Sequence, residues 1–205
     1  MPLTKDLTKF TTTSQTLASY SSEEIASGLL FVTNYLTVTK DNAGTQYTLT
    51  TDSGVYSSII ETTRTTDGTT TLTFDSAPFN LTRTIKGTAL ANIGNQANSV
   101  LSGEEYTIQI QKWDGSSATN ISSVITTERD ATAATVSANQ IPCTETVIAE
   151  GEQLRIVIGV VVVQAGVQKM TVGHDPRNRD GIILQPSSED TITSSFIKIP
   201  FKRNS

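Results

Sequence analysis

Leu154-Arg-Ile-Val-Ile-Gly-Val-Val-Val-Val163 decides the fold. The stretch is apolar on both faces and mostly β-branched. It is far shorter than the roughly 18 apolar residues of a membrane helix. It therefore reads as a central strand covered on both sides. No other stretch comes nearer to membrane-helix length, so no membrane partner is expected.

Outward from this strand the pattern changes to threonine and serine alternating with apolar residues. The chain holds 35 Thr and 21 Ser in 205 residues. Threonine is β-branched and fits a half-solvated pleated surface, so such segments read as strands with wet outer faces. Leu29 to Thr39, Tyr47 to Thr51, Val55 to Thr65, Thr69 to Phe74 and Phe79 to Ala89 all alternate. Glu105 to Trp113, Ile121 to Thr127 and Thr193 to Phe201 alternate as well. Shorter strands are expected at Ala134 to Asn139, Thr144 to Ile148 and Met170 to Val172. Asp67-Gly68 and Asp114-Gly115 mark hairpin turns. Asn92 to Ser99 reads as a polar loop. The spacing of turns, about ten residues apart, is that of a sandwich or barrel. The expected fold is all-β, an antiparallel β-sandwich of jelly-roll-like character. Residues 25–205 form its single domain. Residues 1–24 read as an extended N-terminal arm, with Ser21-Ser-Glu-Glu24 able to cap one helical turn.

Composition narrows the chemistry. With 15 Lys and Arg against 20 Asp and Glu, the net charge of -5 argues against nucleic acid as a partner. Met1 to Phe10 carries Lys5, Asp6 and Lys9 and no apolar run, so synthesis in the cytoplasm is expected. Cys143 is alone and allows no internal disulfide; it reads as a small core thiol. His174 is the single imidazole. A nucleophilic triad would have to join it to Cys143 or a serine, yet no Gly-x-Ser-x-Gly elbow occurs. Two His and Cys residues together fall short of an ordinary zinc site. Glu104, Glu105, Glu128, Asp130, Glu150 and Glu152 could pair for glycoside hydrolysis, but most sit where solvated acids are ordinary. Asp175 to Asp180 offers oxygen ligands for calcium without the spacing of a calcium loop, and reads better as a salt-bridged loop using Arg177 and Arg179. A sugar-binding face would need Tyr47, Tyr56 and Trp113 to converge. No catalytic residue, cofactor or metal site is expected.

Two segments, Gly103-Glu-Glu-Tyr-Thr-Ile-Gln-Ile110 and Gly151-Glu-Gln-Leu-Arg-Ile-Val-Ile158, echo one another. With His174-Asp-Pro and Ser194-Ser-Phe-Ile-Lys-Ile-Pro-Phe201 they give the chain a character that resembles β-sandwich virion proteins of tailed bacteriophages. The likeness is to head decoration, cement and minor capsid proteins. It implies a non-enzymatic structural protein that binds across capsomers on the capsid surface, often as a homotrimer, with the major capsid protein as partner. Lys5, Lys9, Arg177, Arg179, Lys202 and Arg203 are then the expected partner-binding residues, since basic ends can dock on an acidic neighbour. The alternative is a carbohydrate- or host-surface-binding module associated with a tail or fibre.

Overall fold

A computed structural model describes residues 29–41, 44–98, 104–129, 132–163, 168–184 and 192–202. The proposed arm, with Lys5 and Lys9, lies outside these residues, as do Asp130 and Arg203. The described residues form twelve strands and no helix: β1 (Leu29–Asp41), β2 (Gly44–Thr50), β3 (Glu61–Arg64), β4 (Gly68–Asp75), β5 (Arg83–Ala97), β6 (Glu104–Trp113), β7 (Ala118–Asn120), β8 (Ile125–Arg129), β9 (Thr135–Ile148), β10 (Gln153–Val162), β11 (Met170–Gly173) and β12 (Phe196–Lys202). The chain is all-β, as the alternation predicts.

The strands pair in the order β3-β11-β5-β12-β1-β2-β4-β10-β6-β7, with β8 also on β6 and β9 also on β5. Pairing is antiparallel except at Thr48 and Asp75, where β2 and β4 meet in parallel. The sheet is therefore mixed, and it folds over: β10 touches β3 and β11, and β6 touches β11, without pairing to them. The core lies between these faces.

β10 occupies the central position expected of it, between β4 and β6. Ile156 stands opposite Phe74 and Ile110, and Ile158 opposite Leu72 and Ile108. All six side chains are buried. The expectation of cover on both faces needs correction, because Val157 and Val161 are only half-buried. The apolar run reflects β-branched preference on the outer face as well as burial on the inner one.

The strands expected from Val55, Phe79, Ile121 and Thr193 begin later, at Glu61, Arg83, Ile125 and Phe196, and three further expectations change. Gly68 does turn the chain, at φ 103°, and Arg64 secures the turn by donating to the Asp67 carbonyl and to Thr70 Oγ1. Yet the strands on either side do not pair with each other; β3 joins β11, and β4 joins β10. The turn is a crossing, not a hairpin. Second, the supposed loop at Asn92 is the last third of β5. Asn95 is fully buried there and donates from Nδ2 to the Ile93 carbonyl and Ser137 Oγ, so its amide nitrogen is satisfied inside the fold while its Oδ1 has no partner among the described residues. Third, the strands expected at 134–139 and 144–148 are one strand, β9, which runs through Pro142. The hairpin at Asp114-Gly115 stands as expected, joining β6 to β7. Asp114 Oδ1 accepts from the backbone of Ser116 and Ser117.

Gly94 shows how closely the layers approach. A Cβ there would fall 1.9 Å from the Ile192 carbonyl oxygen. Only glycine lets residues 192–195 cross β5 at this point, where Ser195 Oγ accepts from the Gly94 amide and donates to the Gly173 carbonyl.

Candidate functional site

The polar and charged side chains gather in two places, reached from opposite ends of β5. At its C-terminal end, where β11 and β3 pair, lies a loop cluster. At its N-terminal end lies an open groove.

The loop cluster surrounds His174 and Asp175, both fully buried. Thr62 Oγ1 and His174 Nε2 are 2.8 Å apart. The ring also faces Phe74 at 6.3 Å between centroids. Burial pushes the His174 pKa down to about 4, against smaller opposing effects from backbone carbonyls and Asp175. The imidazole is thus neutral at physiological pH. A hydroxyl beside a neutral imidazole is the arrangement of a nucleophile and its base. Here it closes the ring off from solvent instead of presenting it. Cys143 is held elsewhere, half-buried on β9, with Sγ donating to the Ile141 carbonyl at 3.4 Å. Burial pushes its thiol pKa up.

Asp175 is spent on its own loop. It receives Nε and Nη2 of Arg179 at 2.9 and 3.1 Å and the Arg179 amide at 2.9 Å. Arg179 also donates to the Ser57 carbonyl and stacks over Tyr56 at 4.1 Å. Asn178 completes the turn in the left-handed region, at φ 48°. This is the salt-bridged loop anticipated from the sequence. Among the described residues no group of three or more His, Cys, Asp or Glu side chains could hold a metal. Glu61 caps the same region, its carboxylate accepting from the amides of Ile182, Ile183 and Leu184.

The other sequence candidates are scattered. Arg177 is exposed, while its backbone amide turns toward Asp175. Lys202 reaches Glu145, which also meets Lys86 at 3.2 Å. Glu104 is buried and binds the amides of Asn98 and Lys169. Glu105 and Glu128 stand opposite each other on β6 and β8. Glu152 bonds Lys112 at 3.0 Å. The aromatics do not converge: Tyr47 packs edge-on to Phe74, Tyr56 lies under Arg179, and Trp113 lies under Arg155.

The groove has a volume of about 760 Å³. Leu30, Val32, Leu49, Phe79, Leu81 and Phe201 give it apolar walls, and Arg83 and Lys202 line it too. Leu30 is 56% exposed and Leu81 63%. The loop that carries Phe79 and Leu81 is anchored firmly. Phe79 exchanges backbone bonds with Glu152 and Gly151, and the amide of Leu154 donates to Ser76 Oγ. Phe79 also packs on Phe201 at 5.9 Å. Arg83, half-buried, makes no side-chain hydrogen bond or ion pair with any described residue. Sequence reasoning missed this site. Its one signal was that Arg83 occupies an apolar position in the alternation Phe79, Leu81, Arg83, Ile85.

No family model matches the chain, and no curated protein matches it. Solved structures do. An α-amino acid ester hydrolase superposes over 84% of this chain with a TM-score of 0.59 at 8% identity. A CocE/NonD family hydrolase from Staphylococcus aureus covers 86% of it, with a TM-score of 0.49 at 9% identity. An aminopeptidase from a marine-sediment thaumarchaeon covers 65%, with a TM-score of 0.47 at 8% identity. The first of these establishes a shared fold. This chain spans only about a third of the two longer matches, 36% and 37%.

The first match corrects two expectations. The reading as a non-enzymatic virion protein, whether a decoration or cement protein or a tail-associated binding module, is overturned, because the structure that establishes the shared fold is that of an α-amino acid ester hydrolase. The expectation that the chain has no part in enzymatic chemistry falls with it. Sequence character misled because Thr-rich alternation marks a wet β-surface in any setting.

Proposed function

We propose that this chain is the β-sandwich part of a hydrolase acting on carboxylic esters or amides. The superposition of 84% of the chain on an α-amino acid ester hydrolase carries this reading. Because the match takes in about a third of that enzyme, the chain stands for one module of it and works beside a catalytic region. The internal economy of the loop cluster supports the same division. Thr62 bonds His174 and Asp175 bonds Arg179, and these two internally paired sets make an end on which a neighbouring domain can rest. The groove supplies a surface that can face substrate.

Immunodepletion tests the reading. An antibody raised against the purified chain is used to clear extracts of the source cells. Hydrolysis of α-amino acid esters and aminoacyl anilides is then followed in what remains. Loss of an ester- or amide-hydrolysing activity in proportion to the chain removed is the expected result. Complete removal of the chain with both activities intact would overturn the proposal.

A further inference from the structure

We infer that the groove at the start of β5 binds a small carboxylate carried on an apolar body, such as a medium-chain fatty acid or an N-acyl amino acid. Three observations converge. First, its volume of about 760 Å³ is that of a small-molecule site. Second, leucine and phenylalanine side chains wall it, and Leu30 and Leu81 stay largely exposed. Apolar surface of that kind gains by covering the hydrocarbon part of a ligand. Third, Arg83 stands among these walls with no side-chain partner among the described residues.

The last point fixes the chemistry. A guanidinium holds five donors in a planar fork and matches a carboxylate through two parallel bonds. Two other arginines of the described fold are engaged in this manner: Arg155 grips Asp75 at 2.6 and 2.8 Å, and Arg179 grips Asp175. Arg83 is the half-buried counterpart with its fork open, beside apolar walls. Lys202 adds positive charge to the same lining, although Glu145 already occupies its ammonium. A cationic ligand would meet repulsion, and a neutral one would leave the fork unfilled. The inference stands on the groove alone. It neither needs the hydrolase reading nor falls with it, although a carboxylate on an apolar body is also what ester hydrolysis releases.

Calorimetric titration of the full chain with octanoate, octan-1-ol and octylamine tests it, with amide chemical-shift changes reporting the location. Octanoate should bind saturably and shift the amides around Leu30, Leu81 and Arg83. It should bind about tenfold more tightly than either isosteric control. Arg83→Gln should weaken octanoate about tenfold and leave octan-1-ol unchanged, and Arg83→Lys should fall between. If Arg83→Gln does not fold, the lysine variant and the three-ligand comparison on the parent chain still decide. Equal binding of octanoate and octylamine, shifts confined to other surfaces, or no binding by about 10 mM would each overturn the inference.

Discussion

The two ends of β5 hold the same kinds of residue in opposite states. At the loop cluster the charges drawn into the fold have internal partners: Asp175 has Arg179, and Glu61 has three backbone amides, while Arg177 and Asp180 face solvent. At the groove, Arg83 has none among the described residues, and two leucines face solvent. A charge whose bonds are made inside the chain holds the fold. One left unmade beside apolar walls is available to a ligand. Charged residues at the first end should therefore matter to stability, and those at the second to binding.

The largest effect should come from Asp175→Ala. It strands the guanidinium of Arg179 and two backbone amides around a fully buried position. Removing one partner of a buried pair costs about 3 to 5 kcal/mol, and the partial exposure of Arg179 places this site near 3. Urea denaturation should register that loss.

Acid should act on the same end. His174 has a folded pKa of about 4, below its ordinary value of 6.5. The unfolded chain therefore binds a proton between these values that the folded chain refuses. The stabilisation is complete above pH 6.5 and drains away as pH falls toward 4, amounting to about 3 kcal/mol in all. Denaturation midpoints measured across this window should fall with pH, and His174→Gln should flatten that slope.

Glu61→Ala should cost about 2 kcal/mol, since it orphans the amides of residues 182–184 at a partly exposed position. Arg83→Gln should sit at the bottom of the scale, within about 0.5 kcal/mol of the parent, because no side-chain bond to a described residue is lost. A large destabilisation by Arg83→Gln would erase the contrast between the two ends.

The same contrast explains what could be read in advance. β6 was legible because its alternation is local and its burial largely follows it; β10 was legible as a central strand from its apolar run, while its half-buried outer face was not. The salt-bridged loop was legible because Asp175 and Arg179 lie four residues apart. The continuation of β5 through Asn92 and Asn95 was not, since the buried Asn95 bonds through Nδ2 to a partner distant in sequence, Ser137. Nor was the groove, whose walls come from β1, β2, the loop at 76–82, β5 and β12. No window of sequence contains it. Arg83 showed only as a cation out of phase with its neighbours. The non-enzymatic function drawn from the capsid resemblance was corrected for a related reason: alternating segments of this character are shared by many β-folds, while the strand order that defines the fold is set by long-range pairing.

One paired experiment reaches the centre of this account: thermal unfolding of the parent, Asp175→Ala and Arg83→Gln, each with and without octanoate. Octanoate should raise the parent's midpoint through binding to the native state. Asp175→Ala should unfold at a lower temperature yet keep the octanoate increment, while Arg83→Gln should keep the parent's midpoint and lose the increment. The reverse pattern, with stability residing in Arg83 and the ligand response in Asp175, would contradict the division between the two ends.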